Sequence, residues 1–257
     1  MKVLVTGGRG FLGGHVCEAL GAAGHEAVPL GRIEGDLAEP GVFERLLDEH
    51  RPDAVVHLAA AMPGDDRLAQ NAPITELVAH ACAARGIRLL HGSTTSVYAD
   101  DTPYAESKRA SEQAAGDATL LRFAFPYGPG QRRGAIPTML RQALDGEPIV
   151  VYRGWERSFC FAADAARAVV LLLDAGATGA HDVGRDDDSR TLHEIAQLAC
   201  RLANAPEELI VLADPPVGPA PTLDPLDLAG LYELGWRPEV ELEDGMGRTL
   251  EWLSSPA

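Results

Sequence analysis

The sequence predicts an α/β protein: a doubly wound parallel sheet with a smaller lobe interleaved toward the C-terminus. Three observations carry this reading. Short apolar runs alternate with amphipathic stretches through the first half of the chain. A glycine-rich turn joins the first apolar run to the first amphipathic one. After Phe125 the texture changes to proline- and glycine-rich segments. Strands covered on both faces read as continuous apolar runs, and the stretches between them read as crossover helices.

Taken in order, KVLV is the first strand, and Leu12, Val16 and Leu20 recur at helical spacing behind it. Ala27 to Leu30 is a second strand, and Val42, Leu46 and Leu47 mark a helix. AVVHLAA reads as a buried strand, Leu77 to Ala84 as a helix, and IRLLHGS as a strand. Ser107 to Ala115 is a helix and TLLRFAF a strand. PYGPGQRRGAIP reads as a loop, followed by a helix over Thr138 to Leu144 and the strand IVVY. Ala162 to Leu173 is one more helix on the main sheet. From Gly179 onward short elements mix with segments such as DPPVGPAPTLDP. The expected division is a dinucleotide-binding domain over 1–125, to which 158–178 returns, and a substrate-binding lobe over 126–157 and 179–257.

At 257 residues and 46% hydrophobic composition the chain can bury a large core. Its net charge of -16 argues against a nucleic-acid partner, which wants basic surface. The four cysteines stand far apart, with no CxxC pair and no zinc spacing, so no metal site is expected. MKVLVTGG is broken by glycine too soon for a secretory signal, and no apolar run is long enough to span a membrane. The expectation is a soluble, cytoplasmic protein with no membrane partner.

VTGGRGFLGG follows the first strand and opens the first helix, with Gly7, Gly10 and Gly13 spaced by three. Such a turn brings backbone N–H groups of a helix N-terminus to a pyrophosphate, the mark of a Rossmann-type dinucleotide site. The second strand ends in VPLGRIEGDL. Where an NAD site usually has a carboxylate for the ribose, Gly31 stands, followed by Arg32. A guanidinium without that carboxylate suits a 2′-phosphate and points to NADP(H), with NAD as the alternative. Otherwise Arg32 is a solvated surface side chain. The carboxylate of Asp36 could accept from the adenine amino group.

TGGRGFLG, GDL, HLAA, STTSVY, YAESK, LRFAFPYGPG, RSFCFAADAARA, HDVG and LGWRP follow one another in this order. The chain thereby resembles an extended short-chain dehydrogenase/reductase of the sugar-nucleotide epimerase/dehydratase type. Two passages, EGDLAEPGVFERLLDEHRPDAVVHLAAA and LLHGSTTSVY with LLRFAF, look most like dTDP-4-dehydrorhamnose reductases. The resemblance implies coenzyme contacts from Gly7, Gly10, Phe11, Leu12, Gly13, Arg32, Asp36, Leu37, Leu58, Ala59, Ala60, Tyr104 and Lys108. It implies a catalytic set of Thr94, Tyr104 and Lys108, with Ser93 and Thr95 as rivals for the hydroxyl. It implies a nucleotide-sugar substrate, with Thr94 on its carbonyl oxygen, Phe125 against the sugar and Arg157 on phosphate.

Tyr104 and Lys108 are four apart and share a helix face. Carbonyl reduction needs a proton on oxygen, which a phenol can donate. A nearby ammonium is expected to lower the phenol's pKa. Lys108, by the resemblance, also bonds the nicotinamide ribose.

By the same resemblance, 4,6-dehydratases carry an Asp-Glu pair after the threonine. Here Thr95 and Ser96 stand there. What remains is simple reduction or a 4-epimerisation, and the Arg32 signal for NADP(H) leans toward reduction of a nucleotide-linked 4-keto-6-deoxyhexose. The alternatives are an NAD-dependent 4-epimerase and a non-catalytic coenzyme sensor. The loop between Tyr98 and Tyr104 and the segment from Ala61 to Gln70 are short for the family, which predicts an open site. Asp182 replaces a frequent asparagine. His57 is read as packed or bonded to backbone, Trp236 as core of the small lobe, Asp186 to Asp188 as a solvated loop, and Ala162 to Leu173 as a candidate homodimer surface.

Overall fold

The computed structural model describes residues 1–98, 101–215 and 226–255. Ala99 and Asp100 of the short loop, and 216–225 of the proline-rich segment, lie outside them. In chain order the elements are β1 (Lys2–Thr6), α1 (Phe11–Ala22), β2 (Glu26–Leu30), α2 (Val42–His50), β3 (Ala54–His57), α3 (Asn71–Ala83), β4 (Arg88–Thr94), α4 (Pro103–Ala114) and β5 (Thr119–Phe123). Then come β6 (Pro126–Tyr127), α5 (Ala135–Asp145), β7 (Ile149–Tyr152), β8 (Glu156–Ser158), β9 (Cys160–Phe161), α6 (Ala162–Asp174) and β10 (Ala180–Val183). β11 (Ser189–Thr191), α7 (Leu192–Leu202), β12 (Ile210–Ala213), α8 (Ala229–Glu233) and α9 (Leu242–Ser254) complete the chain.

Two compact units emerge. The first holds Met1–Phe123, Ala166–Val183 and Asp227–Trp236, and the second holds Ala124–Ala165, Gly184–Leu226 and Arg237–Ala257. The segment Asp227–Trp236, expected in the small lobe, thus belongs to the first unit. Trp236 is buried there, with its ring stacked on Tyr232 at 6.4 Å.

The first unit is built on six strands in the order β10-β5-β4-β3-β1-β2, every neighbouring pair parallel. Val3, Leu4, Val5, Val55, Val56 and Leu90 are fully shielded, as strands covered on both faces require. From β1 the chain moves to β2 on one side and then to β3 on the other. This reversal opens a crevice at the carboxyl end of β1. The strand expected over AVVHLAA ends at His57, and Leu58 to Ala60 leave the sheet at this crevice.

The second unit has its own core of Tyr127, Ile136, Leu140, Ile149, Phe161, Ile195, Ala199 and Met246. Its strands form three short pairs, β6 with β9, β7 with β12 and β8 with β11. Gly245 is required here, since a Cβ would meet the Tyr127 hydroxyl at 2.2 Å. Among the described residues no helix is long and apolar enough to cross a membrane.

Candidate active site

The glycine turn lets backbone pack directly on backbone. Gly7 has φ +70°, and a Cβ on Gly13 would lie 2.1 Å from the Gly7 carbonyl oxygen. Beyond Gly10 the space is open except for that same oxygen at 3.1 Å. Helix α1 starts after Gly10 with no side-chain cap, so the N–H groups of Phe11, Leu12 and Gly13 have no acceptor within the helix and can serve an anion. These residues fit a dinucleotide coenzyme.

Beside the turn lies a cavity of about 230 Å³ at the carboxyl ends of β1, β2 and β3. Of the expected coenzyme contacts, Gly7, Arg32, Asp36, Leu37, Ala59 and Ala60 line it. Gly10, Phe11, Leu12, Gly13, Leu58, Tyr104 and Lys108 do not. Asp36 is already engaged: it accepts the Ala38 N–H at 3.1 Å and an Arg67 N–H at 2.9 Å. The Ala38 N–H and then Arg67 hold its carboxyl below its ordinary value. Arg67, a cavity-lining residue, gave no signal in the sequence beyond its place in the short 61–70 segment.

Thr102 caps α4 by accepting the Ala105 N–H, and Pro103 takes the first helical position. The helix therefore begins ahead of the expected Ser107, and Tyr104 lies in its first turn. Burial raises the Tyr104 phenol to about 12, and Lys108 makes no contribution. The ammonium does not lower the phenol as expected. Instead Lys108 is buried, and its Nζ donates to the Gly92 carbonyl at 2.6 Å. Burial brings Lys108 down to about 8, with Glu112 pulling weakly the other way.

Thr94 ends β4, and its hydroxyl oxygen accepts the Ser96 N–H at 3.3 Å. Its own proton remains to be given. The rival Ser93 is buried, and its hydroxyl has no partner among the described residues. Thr95 lies in the 3-10 turn Thr95–Val97.

A chain of buried hydrogen bonds runs beneath these groups. The Thr75 hydroxyl donates to the Asn71 carbonyl at 2.8 Å, so its oxygen must accept from His57 Nε2 at 3.4 Å. His57 Nδ1 is then bare and accepts from the Thr6 hydroxyl at 2.6 Å. The Thr6 oxygen takes the Ala59 N–H at 3.2 Å. The Asn71 amide grips both backbone groups of Ala61, at 2.7 and 3.1 Å, and donates to the Ser107 hydroxyl at 3.2 Å. Ser107 donates in turn to the Tyr104 carbonyl at 2.8 Å.

The wall of the cavity and the first turn of α4 are therefore braced by one network. His57 is bonded to two threonine side chains and not to backbone, because β1 and α3 bring them to it. Burial holds it at about 3, so it stays neutral. The sequence signal for Asn71 and Thr75 was only their spacing of four.

Asp182, in β10, is buried, accepts from the Tyr98 hydroxyl at 2.7 Å and takes the Asp227 N–H at 2.9 Å. In the second unit Phe125 adopts φ +42°, a left-handed conformation that strains a non-glycine residue. The Arg157 guanidinium lies 5.0 Å from the Phe125 ring and 5.0 Å from that of Trp155. The expected solvated loop is more ordered than its composition suggests: Asp187 pairs with Arg185, and Asp188 with Arg190.

Residues 3–184 match the model of the NAD dependent epimerase/dehydratase family. The chain is similar to a dTDP-glucose 4,6-dehydratase of Actinoplanes, 29% identical over 98% of this chain and 97% of the relative. It is similar to a dTDP-4-dehydrorhamnose reductase of Mycobacterium tuberculosis, 29% identical over 69% of this chain and 67% of the relative. Among solved structures, UDP-glucose 4-epimerase of Thermus thermophilus in complex with NAD superimposes with a TM-score of 0.87 at 26% identity, covering 100% of both chains. The parallel sheet, the glycine turn and these matches agree, and the chain belongs to the NAD dependent epimerase/dehydratase family.

Proposed function

We propose that the protein reduces the keto group of a nucleotide-linked 4-keto-6-deoxyhexose, in its dTDP form, with NADP(H) as coenzyme. The observation that carries this is the state of Tyr104. A phenol is protonated at neutral pH, as an acid in the reducing direction must be, and burial moves it further that way. Bound coenzyme would supply the hydride for the carbonyl carbon.

Tyr104 gives its proton to the carbonyl oxygen. The N-terminus of α4 then favours the phenolate, and the Lys108 ammonium holds the nicotinamide ribose and so positions the hydride donor. Thr94, whose oxygen is occupied by Ser96, donates its own proton to the same carbonyl oxygen. The burial of Ser93 beside a half-buried Thr94 supports Thr94, and neither Thr95 nor Ser96 offers the carboxylate that a dehydratase would use. In the second unit Arg157 takes phosphate and Phe125 lies against the sugar. The strained backbone of Phe125 supports a binding role over plain core packing.

A second reading, NAD-dependent 4-epimerisation, is favoured by the full-length likeness to the NAD-bound UDP-glucose 4-epimerase. The test is to add dTDP-4-keto-6-deoxyglucose to the protein with NADPH or NADH and follow nicotinamide absorbance. Loss of NADPH with formation of a dTDP-6-deoxyhexose is expected. An isomerised sugar with no net loss would move the assignment to an epimerase. Binding with no change in either compound would leave a sensor or another substrate. Tyr104→Phe is expected to lower turnover by about 10²- to 10⁴-fold while coenzyme binding survives.

A further inference from the structure

At the end of β2 the chain supplies its own anion to a set of donors. The stem of Arg9 crosses Gly31, where a Cβ would come within 3.0 Å of Arg9 Cδ. Its guanidinium reaches the Glu34 carboxylate, with Nε 3.0 Å and Nη2 2.5 Å from Oε1. The other carboxylate oxygen accepts the Gly31 N–H at 2.7 Å. A guanidinium fork and a backbone N–H converging on one point form a site for any oxyanion.

Its place gives that site a meaning. Dinucleotide folds meet the adenosine 2′ position at the end of this strand, with a carboxylate for a free hydroxyl or an arginine for a 2′-phosphate. Arg32, the next residue, lines the cavity and has no ion pair within 4.0 Å among the described residues. Gly35, at φ +147°, follows Glu34 directly and gives the turn a conformational freedom that other residues lack.

We propose that Glu34 is an internal stand-in for the 2′-phosphate of NADP(H). It fills the phosphate position in the free protein. On binding it swings out and leaves Arg9 and the Gly31 N–H to the phosphate, with Arg32 beside them. Glu34 therefore sets coenzyme choice by competition: the affinity for NADPH is reduced by the fraction of molecules in which Glu34 is in place. This rests on the NADP(H) part of the proposed function and not on its sugar.

The test is a fluorescence titration of the full chain with NADPH and NADH, repeated in competition with adenosine 2′,5′-bisphosphate. It compares the unmodified protein with Glu34→Gln and Arg9→Met, thermal melts confirming that each is folded. Neither change touches Tyr104, Lys108 or Thr94. Glu34→Gln should tighten NADPH and the bisphosphate about five- to tenfold and leave NADH within about twofold. Arg9→Met should weaken both phosphorylated ligands about tenfold and leave NADH unchanged.

The proposal is overturned if Glu34→Gln weakens NADH and leaves NADPH unchanged, for Glu34 would then be a ribose acceptor. Unchanged affinities in both variants would also overturn it, leaving an ordinary surface ion pair. The expected shifts without consumption of the ketosugar would sink the substrate reading alone. An unmodified protein and a Glu34→Gln variant that both bind only NADH would sink the NADP(H) reading with it.

Discussion

Among the described residues each unit buries one lysine or arginine, and the two are treated in opposite ways. Lys108 in the first unit is 3% exposed, and among the described residues its Nζ has one acceptor, the Gly92 carbonyl. Arg185 in the second unit is 6% exposed, but it reaches Asp187, both oxygens of Glu241 and the Val240 carbonyl. Burial works against both charges. For Arg185, the hydrogen bonds of Glu241 and Asp187 and their attraction outweigh it and raise the pKa above its ordinary value. For Lys108 burial wins, and the group titrates near 8. A cation that holds a fold together is paired until it cannot let go of its proton. A cation left under-satisfied in a site is one whose charge is available to chemistry.

The largest effect that would break this contrast is on turnover. Lys108→Met should lower the reduction rate by about 10²- to 10⁴-fold, measured with the ketosugar and NADPH. The same variant should be more stable than the unmodified protein at pH 7. A pKa drawn from 10.5 to about 8 corresponds to a penalty on the order of 3 kcal/mol for the buried ammonium. The sign follows from proton counting. Between the folded pKa of about 8 and the ordinary 10.5, the unfolded chain holds more protons at Lys108 than the folded one. The unmodified protein therefore gains stability as pH rises through that window, and the advantage of Lys108→Met fades. Urea midpoints for both proteins from pH 6 to 11 would show the two curves converging. Parallel curves would mean that Lys108 is not strained by burial.

A third expectation is kinetic. The value of kcat/KM for reduction should be level below about pH 8 and fall above it as Lys108 loses its proton. Lys108→Arg, slower overall, should lose that fall, because a guanidinium stays charged.

Arg185 should behave in the opposite way. Arg185→Met should destabilise the protein by about 2 kcal/mol at pH 7 through loss of charge-assisted bonds, and NADPH affinity should not move. The smallest effect is expected from Asp187→Asn. The Asp187 side chain is 60% exposed, and solvent screens the pair, so a loss under about 1 kcal/mol should appear in denaturant unfolding.

How much of this was legible in the sequence differs from residue to residue. The turn at Gly7 to Gly13 was legible because its glycines, the strand before it and the helix after it are contiguous. The shared face of Tyr104 and Lys108 was legible because helical period is a local property. His57 was legible as a buried residue, but its partners Thr6 and Thr75 come from β1 and α3. Arg9 stands inside the glycine turn, yet nothing local pairs it with Glu34. Trp236 was legible as a core residue, and not as one of the first unit's core, because contacts and not chain order decide where a segment returns. The short loops were visible as lengths, because length is read directly along the chain.

By itself the sequence determined the α/β class, the coenzyme turn, the strands up to β5 and the presence of a phenol and an amine on one helix face. These rest on interactions between residues a few positions apart, which periodicity and capping encode directly. Only the tertiary structure decided the order of the strands and the acceptor that Lys108 finds 16 residues away. It alone brought the Thr6 hydroxyl to His57 across 51 residues, and the state of the Tyr104 phenol followed from burial. Those are set by which groups the packed sheet and helices close off from water, and desolvation is a property of the assembled fold.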